Sequence, residues 1–416
     1  NRKCYTAAAF AAASSLLATS LGAQSESDPL EKVIREQATR IQQLESRLMQ
    51  LESNVEQNRQ TVTRVSATTD EIKASAGMGV KPPVESKYKV NLYGFVKFDA
   101  MHNTEMTTGN AKLPWYAGGT TKEGTYFTAD ETRIGANIST KLDSGQTVLG
   151  KIETDFYGAG STVRLRRAFV DIGFAENWSL LLGQEWDTGN LNVLPKTINF
   201  ATMGAVGFPW NRTVQARLTR NFQIDDDATF TVQVAAAEPR AAGVDMPTWQ
   251  WNANYKRKFG ERDFSLGTRG YYGTTLNGGI EEEDSLYAIT GSIDIIDGLD
   301  LRGNIFTGES LDSVISLGSR SAAVGAGAVI TGGFAQLNWQ ATDKLLINTA
   351  YGVEIVDEDD IVSGTPESNQ IVSLGFYYQW FKPVTLALEL SSMTTDYKDT
   401  IDFTNDRIQT AAIFKF

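Results

Sequence analysis

From Tyr88 onward, apolar and polar side chains alternate in runs of roughly ten residues that fold back on one another about fifteen times. A period of two sends successive side chains to opposite faces of a strand, so each run has one oily face and one wetter face. The first run, Lys89 to Ala100, places Val90, Leu92, Gly94, Val96 and Phe98 together. Later runs start near Asp130, Gln146, Arg164, Trp178, Arg212, Ala228, Thr248, Arg262, Asp284, Leu299, Val329, Lys344, Gln370, Val384 and Arg407. The last puts Ile408, Thr410, Ala412, Phe414 and Phe416 on one face and ends on an aromatic ring. About sixteen strands of this length match the tilted strands that cross a bilayer.

The connections are unequal in a regular way. Tight turns (143–145, 175–177, 225–227, 260–261, 297–298, 341–343, 381–383) alternate with longer links that include 103–129, 188–211, 309–328 and 357–369. Short turns on one rim and long loops on the other are the asymmetry of a membrane barrel. A soluble sandwich has no reason to keep it. Aromatic residues gather near strand ends, among them Trp178, Trp249, Trp251, Trp380, Phe381, Phe414 and Phe416, as interfacial girdles require. Lipid offers no hydrogen-bond partner to an open edge, so the final strand must pair with the first. The expected fold is all-β, a transmembrane antiparallel β-barrel of about sixteen strands preceded by an α-helical coiled coil.

Composition removes the competing classes. Past the first two dozen residues no apolar run approaches the roughly 18 residues of a membrane-spanning helix. The formal charge of −12 disfavours a nucleic-acid partner. Cys4 is the single cysteine and His102 the single histidine, so no disulfide, cysteine chemistry or two-imidazole mechanism is expected. No cofactor, metal site or enzymatic activity is expected. The acidic stretches 281–284 and 357–360 are read as solvated external loops.

The N-terminal part has a different texture. Residues 1–23 resemble an export signal, with Arg2 and Lys3, an Ala/Leu-rich stretch and Leu21-Gly22-Ala23 before the cut. Residues 24–76 carry heptads, with Ile34, Ile41, Leu48, Val55 and Val62 at one seam position. Leu30, Leu44, Leu51 and Val65 hold the other, interrupted by Gln37 and Asn58. This is expected to be a periplasmic coiled coil about 65 Å long. Residues 77–88, with Gly77, Gly79, Pro82 and Pro83, read as a linker to the barrel at 89–416.

Several short motifs add a resemblance: Leu92-Tyr-Gly-Phe-Val-Lys, Thr132-Arg-Ile-Gly, Arg164-Leu-Arg-Arg-Ala-Phe-Val and Leu182-Gly-Gln-Glu-Trp, in this order behind a coiled coil. Together they resemble the DcaP-like porins of Gram-negative bacteria. The resemblance implies a homotrimer of sixteen-stranded barrels in the outer membrane that admits small, often anionic, organic solutes. Its expected surroundings are the lipid bilayer and lipopolysaccharide.

A pore works through its width and the charges that line it. By analogy with trimeric porins, residues 188–211 are expected to fold inward as a constriction. They contain Lys196 but no acid, with Pro195, Phe200, Met203, Phe208, Pro209 and Trp210 to pack, and Arg212 follows at once. Opposite the apolar faces, Arg133, Lys151, Arg167, Arg217, Arg269 and Arg302 are expected to line the lumen. Strict alternation turns Arg164 and Arg166 outward unless a bulge near Arg166 turns them in. Such a basic lining favours carboxylates. The alternative is a wall network in which Glu153, Asp155, Asp171, Asp99 and Glu185 neutralise these cations. The functional expectation is an outer-membrane diffusion channel for small hydrophilic, preferentially anionic, solutes. A structural tether, whose coiled coil binds a periplasmic or cell-wall partner, is the rival.

Overall fold

The computed structural model describes residues 41–44, 46–47, 49–50 and 88–416, the last range without 111, 200–202, 205, 242, 278, 322–323, 325–326, 358 and 360. Contacts divide the chain into Asn1–Glu85 and Ser86–Phe416. In the first unit the described residues are helical, and the seam residues Ile41 and Leu44 are exposed. The export signal, most of the coiled coil and the linker lie outside the described residues.

The second unit begins with β1 (Lys89–Asn103), β2 (Thr107–Asn110), β3 (Leu113–Ala117), β4 (Gly124–Thr128) and β5 (Arg133–Lys141). There follow β6 (Thr147–Asp155), β7 (Arg164–Ala175), β8 (Trp178–Trp186), β9 (Arg212–Asp225), β10 (Ala228–Ala237) and β11 (Thr248–Phe259). Next come β12 (Arg262–Asn277), β13 (Ile280–Ile296), β14 (Leu299–Glu309) and β15 (Val329–Gln340). The chain closes with β16 (Leu345–Val356), β17 (Pro366–Phe381), β18 (Val384–Tyr397) and β19 (Phe403–Lys415). All but β2 and β3 form one antiparallel sheet. β19 returns to β1 in register from Phe95↔Lys415 to Asn103↔Arg407, and Gly94 exchanges both backbone bonds with Phe416 at 3.1 Å. The cylinder is therefore closed, as lipid requires.

Seventeen segments fill sixteen wall positions, because β5 pairs with the lower part of β1 and β4 with its upper part. The alternation predicts loop over 124–128, whereas the structure places β4 there. The break at 129–132 lets Glu131 turn inward to Lys97. A second correction concerns the acids at 281–284. They belong to β13, paired from Leu276↔Glu281 to Gly273↔Asp284, and not to a long loop. Here the hairpin turns tightly at Gly279, which has positive φ, so the strands run on. Likewise β17 and β19 start earlier than expected, at Pro366 and Phe403. These strand tips have little oily face for alternation to mark.

The outer face is apolar. Ile134, Ile152 and Leu218 are 50%, 52% and 40% exposed on it. At the short-turn rim, the Arg220 guanidinium lies 5.1 Å from the centres of the Trp178 and Phe222 rings and donates to the Glu176 carbonyl. A cation at an aromatic girdle keeps its head in the polar interface while its stem stays with the rings. Inside, the cylinder is partly filled. The β2–β3 hairpin, residues 188–211 and residues 310–328 all bond to inner-wall side chains, and two buried apolar clusters lie between these segments and the wall.

Candidate functional site

Residues 188–211 form the inward segment expected of a constriction. Val193, Met203, Val206, Phe208 and Trp210 pack against Phe334, Ile371 and Met393 of the wall. Phe208 meets Phe334 edge-on at 5.5 Å. The approach is close enough that a Cβ on Gly352 of β16 would lie 1.9 Å from the Val206 carbonyl oxygen, so only glycine admits the loop here. Phe200 lies outside the described residues.

A loop buried in a barrel must have its backbone polar groups satisfied, and wall side chains do this. Gln336 accepts from the Lys196 amide at 2.8 Å and donates back to its carbonyl at 2.9 Å. Glu389 accepts from the Ile198 amide at 2.8 Å, and Lys97 donates to the Ile198 carbonyl at 2.6 Å. Glu354 takes the Gly207 amide on one oxygen at 3.1 Å and the Leu317 amide of the 310–328 segment on the other at 2.6 Å. One carboxylate thus anchors both inward segments. Sequence reasoning missed Glu354, Glu389 and Gln336. The available signal was an acid on an otherwise apolar inner face, Glu354 between Ala350, Gly352 and Val356.

The arginines of β7 face the lumen because of a bulge. Register with β6 runs Glu153↔Arg167 and then Thr154↔Leu165, leaving Arg166 as the extra residue. Arg164, Arg166 and Arg167 are thereby all turned in, while Leu165 is exposed outside. Arg164 grips Asp155 with two bonds of 2.9 and 2.7 Å. Arg166, 1% exposed, reaches Glu153 and Asp155 at 2.9 Å each. Arg167 bonds Glu185, and Arg133 lies 3.8 Å from Glu153 and over the Phe95 ring. Breaking a buried pair leaves an uncompensated charge, at a cost of about 3–5 kcal/mol. Arg166→Ala is therefore expected to lower the temperature at which the folded band disappears in heat-modifiability gels; an unchanged transition would refute the structural role of this pair.

The remaining sequence candidates divide by surroundings. Arg217 is buried, donating to the Gln215 side chain and the Trp186 carbonyl. Arg269 is buried behind the constriction and donates to the Pro209 carbonyl at 2.8 Å. Arg302 is bonded to Asp300 at 2.7 Å. Arg212 lies 5.0 Å from the ring centres of both Trp186 and Trp210. Among the described residues, Lys151 and Lys196 have no carboxylate within salt-bridge distance; each rests on a tyrosine face, Tyr93 at 5.1 Å and Tyr377 at 5.3 Å. Lys415, which the sequence reading passed over, is exposed and equally without an acid partner among the described residues. Burial pushes the Lys196 ammonium pKa down, and Lys415 and Arg302 nearby push it the same way.

A closed antiparallel cylinder, oily outside, charged within and narrowed by an inward loop, is the architecture of an outer-membrane porin. The family model described as DcaP outer membrane protein matches residues 17–264, and the chain belongs to that family. Among solved structures, the outer membrane channel DcaP of Acinetobacter baumannii aligns with TM-score 0.65 at 21% identity, over 80% of this chain and 99% of that one. The anion-selective porin from Comamonas acidovorans aligns with TM-score 0.55 at 12% identity, over 79% and 100%. OmpT of Vibrio cholerae in its trimer form gives TM-score 0.55 at 11% identity, over 79% and 99%. No curated protein sequence matches.

Proposed function

We propose that this porin is a passive diffusion channel for small hydrophilic solutes that favours anions, carboxylates above all. The observation that carries this reading is the division among lumen charges. Glu153, Asp155, Glu185 and Asp300 are held by arginines, whereas Lys151, Lys196 and Lys415 keep no acid partner among the described residues. The paired arginines stiffen the wall. The lysines set the field that a solute meets, since a paired charge is largely cancelled at a distance. The anion-selective Comamonas porin shares the fold, which is consistent with this reading. We further propose a homotrimer embedded among lipopolysaccharide, after OmpT's trimer form, with residues 24–76 as a periplasmic coiled coil and residues 1–23 as the export signal. Liposome swelling with dicarboxylates, sugars and amines of matched size tests the charge preference. Carboxylates are expected to enter fastest, and faster entry of amines would overturn it.

The lysine reading predicts a pH dependence. Because burial holds the Lys196 pKa below its ordinary value, its charge is lost as pH rises before that of an ordinary lysine at about 10.4. Anion preference is therefore expected to weaken on the alkaline side. Lys196→Arg, which stays charged, is expected to hold it. Identical alkaline profiles for the two proteins would remove Lys196 from the account.

A further inference from the structure

Three connections of the long-loop rim converge on one cation. The β2–β3 hairpin belongs to the link between β1 and β4, and wall side chains fix it from inside the barrel. Asn369 of β17 donates to the Trp115 carbonyl at 2.9 Å, and the Ala117 amide donates to Thr395 of β18 at 2.9 Å. The link between β14 and β15 carries a one-turn helix, Leu317–Arg320, tied to β16 through Glu354. Ser316 caps that helix, accepting from the Ser319 amide at 3.2 Å. The two segments meet where the Arg320 guanidinium lies 4.4 Å from the centre of the Trp115 ring. The third link, between β10 and β11, brings the exposed Arg240. Burial and the like charge of Arg240 push the Arg320 pKa down to about 10.

Arg320 differs from the arginines of the wall. Arg164, Arg166 and Arg167 are each met by a carboxylate. Among the described residues neither Arg320 nor Arg240 has a carboxylate within salt-bridge distance. The Arg320 Nε is buried and has no acceptor among the described residues. A half-buried cation beside a like charge is unfavourable, and a fold that kept it for packing alone would set an acid against it. The Trp115 ring attracts the charge but offers no oxygen to the N–H fork. The geometry points to an anion-binding site at the mouth of the channel: Arg320 and Arg240 together take a carboxylate-bearing solute, and Trp115 holds the Arg320 guanidinium ready for it. An anion between the two cations replaces one repulsion with two attractions. The capped helix and the ring fix Arg320 beforehand, so less freedom is lost on binding. This site deepens the anion preference proposed above and rests on it, since a solute captured at the mouth is passed to the lysines beyond.

Citrate, a small polycarboxylate, is the probe. Its affinity for the full-length protein in detergent is read by isothermal titration calorimetry at low ionic strength, where screening is weak. The parent is expected to bind it. Arg320→Gln removes the charged fork and is expected to weaken binding about tenfold. Arg320→Lys keeps the charge without the fork, and a loss of about threefold is expected. Arg240→Gln, on an exposed link, is also expected to lose about threefold. No binding by the parent, or parental affinity in Arg320→Gln or Arg320→Lys, overturns the inference. Should Arg320→Gln not assemble, Arg240→Gln decides: weaker binding supports the site, and parental binding overturns it. The titration does not depend on which ion permeates. A parent channel that selects potassium would sink the anion preference, while loss of citrate binding in Arg320→Gln would still uphold the site.

Discussion

Glu354→Leu is expected to convert a steady, narrow channel into a wider and noisier one. The carboxylate holds the Gly207 amide and the Leu317 amide, one from each inward segment. Leucine leaves both donors buried without an acceptor, at about 1–3 kcal/mol each, or roughly 2–6 kcal/mol in all. That is enough to move a loop packed against a wall from one dominant position to several. The strand ladders do not pass through Glu354's side chain, so the cylinder itself stays closed. Removing a buried carboxylate also removes its desolvation cost, so melting of the barrel is a poor readout. Single-channel recording is the better one. Larger unitary conductance with frequent transitions is expected for Glu354→Leu, and a smaller change for Glu354→Gln, which keeps one acceptor oxygen. A Glu354→Leu channel with parental conductance and noise would mean that the apolar cluster alone fixes the constriction.

The second large effect belongs to the lysines. The double variant Lys151→Glu/Lys196→Glu is expected to turn anion preference into cation preference. At 4 Å, two unit charges interact by about 1 kcal/mol in bulk water and about 4 kcal/mol at an effective dielectric of 20. Reversing a lysine changes the local charge by two, so even the weaker figure gives about 2 kcal/mol per site for an ion passing at that distance, or roughly thirtyfold from either site alone. Arg217→Gln is the useful contrast. Its guanidinium is 6% exposed and already bonded to Gln215 and the Trp186 carbonyl. It is expected to leave the reversal potential almost unchanged. Were Arg217→Gln to shift selectivity more than the double lysine reversal, the division between paired and steering cations would be mistaken.

How much of this was legible in the sequence depended on whether a feature is periodic. Ile134, Ile152 and Leu218 face outward as their alternation requires. The inward course of residues 188–211 was legible too, because Met203, Phe208 and Trp210 are too apolar for a water-facing loop. Arg164 and Arg166 were not decidable by parity. A bulge is an event between two strands, and nothing in the composition of β7 states which residue will be left over against Glu153 and Thr154. Pairing was hidden for the same reason. Lys151 and Arg167 both read as inward cations, and only the cross-strand neighbours reveal that Arg167 is met by Glu185 while Lys151 meets the Tyr93 ring. The anchor Glu354 stands out only as an acid among Ala350, Gly352 and Val356, and Glu389 looks like any polar position of an inner wall. Their role depends on loop amides far away in the chain. Strand tips such as Ile280 to Asp284 escaped because four consecutive acids, Glu281 to Asp284, carry no apolar–polar alternation.

The measurement that bears most directly on the whole account is the reversal potential of the unmodified channel in a planar bilayer across a potassium chloride gradient at neutral pH. Chloride-favouring permeation is predicted, set by the lumen lysines that no carboxylate pairs among the described residues. A potential of the opposite sign, with potassium the preferred ion, would contradict it.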